Sequence, residues 1–238
     1  MGVSRADVIA DPARPVPPPA ARVIGERVRR RVAREPVAYI IGRQAFRHIE
    51  VAVDARVLIP RPESELLVEV ALELPEGARV HDVGTGSGAV ALAIKDERPD
   101  LIVSGSDASA AAIAVARANA ARLGLDVELV VAAGLTDRSA SVGAAVPDLV
   151  VANLPYVRED EWPTLQPEIR RYEPRDALVA GVDGLDVIRA LVVQAPSGAR
   201  VALEHAPDQA AAVRGLLHDA VTRMDLAGRE RVTLGSIP

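Results

Sequence analysis

Val80-His81-Asp82-Val83-Gly84-Thr85-Gly86-Ser87-Gly88-Ala89 is the stretch on which the fold of this chain turns. The run Ala78–Val83 has strand character and leads into three glycines at alternate positions. Gly88–Lys95 then takes on helical periodicity. Glycines at a strand-to-helix junction permit a tight turn and close approach of the backbone to whatever lies opposite. Downstream the alternation continues. Leu101–Ser106 reads as a strand, Ser109–Leu123 as an Ala-rich helix, and Val127–Ala132 and Asp148–Ala152 as further strands. After a long loop through Arg175, Val182–Gln194 reads as a helix, Arg200–Glu204 as a strand and Pro207–Leu217 as a helix. Ala220–Met224 and Arg231–Leu234 are the closing strands. Strands alternating with helices predict an α/β fold: a doubly wound, mostly parallel seven-stranded sheet with helices on both faces.

Upstream of the glycine stretch the pattern is different. Residues 1–19 contain Pro12, Pro15, Pro17, Pro18 and Pro19, which predicts an extended or disordered lead. Val23, Ile24, Val28 and Val32 mark an Arg-rich helix over Ala20–Arg34 that stops before Pro36. Ile49–Val53 and Val57–Ile59 suggest a small hairpin within residues 37–59. Pro60 and Pro62 end it, and Glu63–Leu74 reads as a helix. The chain thus divides into a short helical segment (1–34), a linker with a hairpin (35–62) and the α/β domain (63–238).

Composition narrows the chemistry. With 49% hydrophobic and 26% charged residues in 238, the chain has the balance of a globular protein with a buried core. One Trp, one Phe and three Tyr are too few for stacking platforms that grip single-stranded nucleic acid. The lack of Cys excludes disulfides, zinc-thiolate sites, iron–sulfur clusters and a cysteine nucleophile. The four His show no metal-ligand spacing, so no metal is expected. No apolar run approaches the ~20 residues of a membrane helix, and no signal peptide is evident, so a cytoplasmic protein is expected. The net charge is −5, yet residues 1–50 carry ten Arg against five acids. That basic front end reads as a solvated helix face, with an acidic partner or RNA as the alternative.

The glycine loop admits two ligand readings. Gly84-x-Gly86-x-x-Ala89, with Asp107 ending the next strand, satisfies the loose dinucleotide fingerprint, in which Asp107 holds the NAD ribose. Asp82-x-Gly84-x-Gly86-x-Gly88 is instead similar to motif I of class I S-adenosylmethionine methyltransferases. A carboxylate two residues before the first glycine repels a pyrophosphate but attracts a sulfonium and an ammonium, which favours the second reading.

The fourth strand ends in Asn153-Leu154-Pro155-Tyr156. Alone this is a turn with a buried Tyr. After the fourth strand of a motif I domain it resembles the Asn-Pro-Pro-Tyr motif of methyltransferases acting on planar nitrogens, with Leu154 in place of the first Pro. An amide nitrogen is a poor nucleophile because its lone pair is delocalised. The Asn side-chain oxygen and the next carbonyl accept its two N–H bonds, the Tyr ring packs on its plane, and catalysis is positioning plus electrostatics.

Further segments extend the likeness. Glu35-Pro36-Val37-Ala38-Tyr39-Ile40-Ile41-Gly42-Arg43 with Phe46, and Leu58-Ile59-Pro60-Arg61-Pro62-Glu63-Ser64-Glu65, are two of them. Glu173-Pro174-x-x-Ala177-Leu178, Leu203-Glu204-His205 with Gln209, and Arg231-Val232-Thr233-Leu234-Gly235 follow in order. Together these resemble the HemK-type protein N5-glutamine methyltransferases, which modify peptide-chain release factors. The resemblance implies that S-adenosylmethionine is held by Asp82, Gly84, Thr85, Gly86, Ser87, Gly88, Asp107, Ala108 and Gly134, with Asn153 touching both cofactor and substrate. It implies that Asn153, Leu154, Pro155 and Tyr156 frame the glutamine, with Glu63 and Ser64 lining the cleft. Where the family carries an acid near the adenine amine, Ala132-Ala133-Gly134 stands here, and Asp137 is the substitute farther along the loop. The helix Ala20–Arg34 stands where the family has its helical recognition domain. An exocyclic amine of adenine or guanine is the alternative acceptor, and a catalytically idle cofactor-binding protein the third reading.

Overall fold

The computed structural model of the chain describes residues 5–135 and 146–238. Seven strands form one sheet: β3 (Arg79–Val83), β4 (Ile102–Asp107), β5 (Glu128–Val131), β6 (Leu149–Ala152), β7 (Arg200–Glu204), β8 (His218–Met224) and β9 (Glu230–Ser236). Their spatial order is β5-β4-β3-β6-β7-β9-β8. The first five in that order run parallel, and β9 lies antiparallel between β7 and β8. The predicted doubly wound α/β sheet is therefore present. From β3 the chain winds outward to β4 and β5, then returns to place β6 on the other side of β3. This is the switch point outside which open α/β sheets bind ligands.

Strand alternation divides the core. Leu149 and Val151 face α4 (Glu65–Leu72), α5 (Ala89–Glu97) and α6 (Ala110–Leu123), whereas Val150 and Ala152 face α8 (Asp186–Gln194) and α9 (Ala210–Arg214). Leu67, Leu92 and Ile94 are wholly buried on the first side, each contributing about 2 kcal/mol through removal of apolar surface from water.

The N-terminal region departs from expectation. Arg5–Ala10 is a helix, α1, where an extended lead was expected. α2 spans Pro18–Val32, because prolines at the first helical positions have a preset φ and lose no needed donor. It stops two residues short of Arg34, which sits at φ +72°. Val37–Ile41 is helical, α3, since Pro36 opens it and Gly42 closes it in the left-handed conformation. The hairpin is β1 (Arg43–Phe46) with β2 (Ile49–Ala52), paired Phe46 to Ile49, and Val57–Ile59 lies outside it in an irregular segment. Pro207–Gln209 is a 3-10 turn ahead of α9, and the loop after β6 contains a further helix, α7 (Pro167–Tyr172).

Candidate active site

Two loops leave the carboxyl ends of adjacent strands, with Val83 of β3 in register with Ala152 of β6. In the first, Gly84 and Thr85 both donate their backbone N–H to the Ser106 carbonyl, at 2.8 and 2.9 Å, which folds the turn against the end of β4. Gly84 has φ +74°, and a Cβ there would lie 3.1 Å from Leu154 Cδ2 and 3.6 Å from the Asn153 carbonyl oxygen. The glycine turn and the Asn153-Leu154-Pro155-Tyr156 segment thus lie side by side, with too little room between them for a side chain at position 84.

Asp82 is buried beneath this turn. Its Oδ2 accepts from Thr85 Oγ1 at 2.7 Å and from the Ala91 N–H at 3.3 Å. Burial raises its carboxyl to about 7, a push aided by Asp107 and opposed by those two hydrogen bonds. Asp107, at the end of β4, is half-buried. It accepts the Gly86 N–H on Oδ2 at 3.0 Å and the Ser109 N–H on Oδ1 at 2.8 Å. One lone pair on each oxygen remains for the hydroxyls of a ribose. Ala108 next to it is exposed. Gly134, past β5, sits at φ +78° beside Gln194, whose Oε1 accepts the Leu135 N–H at 3.1 Å. Asp137 lies outside the described residues.

The second loop is tied to three other elements. Asn153 donates from Nδ2 to Ser64 Oγ at 2.8 Å, and Ser64 donates to Glu204 Oε2 at 2.6 Å. Tyr156 donates its hydroxyl to Glu204 Oε1 at 3.3 Å. Leu154 is buried, and Gln209 Nε2 donates to the Tyr156 carbonyl at 2.9 Å and the Asp183 carbonyl at 3.1 Å. Burial pushes the Tyr156 phenol up, reinforced by the Glu204 charge, so it stays protonated. Burial likewise raises Glu204 to about 7, against the hydrogen bonds of Ser64 and Tyr156 and the nearby Arg231 charge. Glu63 pairs with Arg229 at 3.8 Å at the rim.

Glu204 was legible only as part of a family segment, not as a site residue. Its one independent signal is a carboxylate closing an otherwise apolar strand, Val201–Glu204. The linker segment is also fastened to the loop after β6 and to itself. Glu173 accepts the Ile59 N–H at 3.1 Å and pairs with Arg61, and Tyr39 donates to the Val57 carbonyl at 2.6 Å.

Comparison with known proteins gives this geometry a family. Residues 1–42 match the PrmC N-terminal domain, and residues 62–166 match the Methyltransferase small domain. A release factor glutamine methyltransferase of Xylella fastidiosa is 45% identical over 215 residues, covering 85% of this chain and 77% of that protein. One from Caulobacter vibrioides is 39% identical, covering 98% and 84%. The chain belongs to the release factor glutamine methyltransferase family. A solved methyltransferase from Pyrococcus furiosus, 16% identical over 77% of this chain and 86% of its own, superposes with a TM-score of 0.53, which shows the shared fold. Membership in this methyltransferase family sets aside the dinucleotide reading of the Gly84–Gly88 loop. Among the described residues, no group of His, Asp and Glu is arranged to hold a metal, and no helix is long and apolar enough to cross a membrane.

Proposed function

We propose that this chain transfers the methyl group of S-adenosylmethionine to the side-chain amide nitrogen of a glutamine in a peptide-chain release factor. The observation that carries the reading is the Asn153 amide beside the glycine turn. Its Nδ2 is committed to Ser64, and its Oδ1 has no hydrogen-bond partner among the described residues. The names of the relatives supply the acceptor class and favour a protein glutamine over a nucleic-acid base.

The residues present fit the cofactor. The Gly84–Gly88 turn offers backbone without side chains, and Asp107 offers acceptor lone pairs at its edge. Asp82 and Asp107 give the turn an acidic character suited to a cationic ligand. In this reading Gly84, Thr85, Gly86, Ser87, Gly88, Asp107, Ala108 and Gly134 hold it, with Asp82 shaping the turn from below. Bound there, it supplies an electrophilic methyl group on a sulfonium leaving group.

The remaining work falls to the second loop. Asn153 Oδ1 and the Leu154 carbonyl accept the two N–H bonds of the glutamine amide, Pro155 and Tyr156 frame its plane, and Ser64 with Glu63 closes the side. The methylated nitrogen sheds a proton readily, so no strong base is needed. Residues 5–34 and the linker 35–62 frame the approach of the protein substrate, with Arg31 of α2 and Arg34 just beyond its end paired to Glu168 of α7 at 2.9 and 2.7 Å.

Incubation with methyl-labelled cofactor and purified release factor, followed by peptide mass spectrometry, tests this. A single added methyl on the glutamine of the Gly-Gly-Gln loop is expected. Label on ribosomal RNA or DNA with none on release factor would refute the acceptor.

A further inference from the structure

We infer that Glu204 and Ser64 are positioning residues that set which end of the Asn153 amide faces the acceptor nitrogen. The inference rests on the methyl-transfer reading above and deepens it. An ionised carboxylate only accepts hydrogen bonds, and a hydroxyl has a single hydrogen to give. Ser64 spends that hydrogen on Glu204 Oε2 at 2.6 Å, so towards Asn153 its oxygen can only accept. The atom facing it at 2.8 Å must therefore be Nδ2, and Oδ1 is left for the cleft. Rotated by half a turn, the same amide would present N–H to the substrate N–H, donor against donor, and the acceptor nitrogen would lose its hold.

The other oxygen of Glu204 takes the Tyr156 hydroxyl at 3.3 Å. One carboxylate thus orders both ends of the Asn153–Tyr156 segment from a strand two places along the sheet from β3. Charged neighbours from two other elements enter the balance alongside burial, which opposes ionisation most. Glu63, from the turn before α4, opposes ionisation. Arg231, from β9, supports it, as do the hydrogen bonds from Ser64 and Tyr156. Arg231 is itself buried. It donates to the His205 carbonyl and to Asp225, and its Nε has no partner among the described residues.

Protonation of Glu204 would reverse the direction of the chain. Its new O–H would donate to Ser64, the Ser64 hydrogen would swing towards Asn153, and the amide would turn its oxygen inward. With the Glu204 carboxyl raised to about 7, that reversal falls in an accessible range.

The decisive experiment is a pH titration of the nitrogen-15-labelled full chain by NMR, without substrate, following the Asn153 side-chain NH2 pair, assigned by its loss in Asn153→Ala. The pair is expected to shift with a midpoint near 7 in the wild type and to lose most of that shift in Ser64→Ala and Glu204→Gln, what remains in both being the response to Asp82, also raised to about 7 beneath the glycine turn. In turnover, Ser64→Ala is expected to lose roughly 10- to 100-fold in kcat. KM for release factor and Kd for the cofactor should stay within about twofold, and Ser64→Thr, which keeps the hydroxyl, should recover most of the rate.

An NH2 pair that does not titrate in the wild type, or titrates unchanged in Ser64→Ala, overturns the inference, as does wild-type kcat in Ser64→Ala. Ser64→Ala removes one small oxygen, so the test survives even if Glu204→Gln fails to fold. A wild type that shows the coupled titration but transfers nothing to release factor refutes the assigned acceptor and upholds the positioning chain.

Discussion

At the scale of single residues, Gly184 shows how tightly the second loop is fitted. It sits at φ +74°, and a Cβ there would lie 2.1 Å from the Tyr156 carbonyl oxygen and 2.6 Å from Gln209 Nε2. Gly42 has nearly the same φ, +75°, with open space around it. The pair separates backbone strain from crowding. Gly42→Ala should cost about 1–2 kcal/mol from the left-handed conformation alone. Gly184→Ala should cost roughly 2–5 kcal/mol, because collision is added to strain, and should depress kcat by displacing Tyr156. Urea denaturation of both variants checks this, and equal losses would contradict it. Leu154 follows the same logic of contact: its side chain covers Gly84, so the residue that departs from the family motif seals the seam between the loops.

What could be read in advance at this scale depended on whether the chemistry lay in consecutive residues. Asn153 and Tyr156 share one short motif and can be singled out from the sequence as candidates, as can the glycines and Asp107. From sequence Ser64 reads only as lining the cleft and Glu204 only as part of a family segment. Their partnership spans 140 residues of chain and exists only once β7 and α4 are packed together.

At the scale of elements, Asn119 of α6 joins the hairpin to the glycine turn. Wholly buried, it accepts the Ala52 N–H on Oδ1 at 2.7 Å and donates from Nδ2 to the Ala52 carbonyl at 3.0 Å and the Ser87 carbonyl at 2.9 Å. Asn119→Leu leaves the half-buried Ala52 groups and the buried Ser87 carbonyl without that partner and should cost roughly 2–4 kcal/mol while weakening cofactor binding, since Ser87 loses its anchor. A change below about 1 kcal/mol in the denaturation midpoint would contradict this. The hairpin is held from its other end by Arg47, whose guanidinium meets both oxygens of Glu97 on α5 at 2.7 Å. Periodicity found the central strands and helices because burial on both sheet faces imposes it. It failed at Arg5–Ala10 and Val37–Ile41, where helices are too short to show a period, and at Val57–Ile59, where Tyr39 and Glu173 rather than a strand partner satisfy the backbone.

At the scale of the molecule, two buried carboxyls, Asp82 and Glu204, make stability depend on pH. Each is raised to about 7 in the folded chain from an ordinary value near 4. Between those values the folded state holds protons the unfolded state has released, so stability falls as pH rises from about 4 to about 7. Glu204→Gln removes one such group. Relative to wild type it should therefore gain roughly 2–3 kcal/mol on going from pH 5 to pH 8, measured by urea denaturation at both values. A constant difference would show that Glu204 does not titrate in this window. The ionised carboxylate that the Asn153 orientation needs is thus also the state that stability opposes.

Methyl transfer in this fold depends on the turn at Gly84 and the segment at Asn153 lying side by side, where β3 and β6 meet at the switch point of the sheet. A crystal structure of the chain with S-adenosylhomocysteine bound tests it most directly. The account predicts the sulfur beside Asn153, the ribose hydroxyls on Asp107, and Asn153 Oδ1 turned into the cleft. Cofactor product seated away from the Gly84–Gly88 turn, or a sulfur out of reach of Asn153, would contradict it.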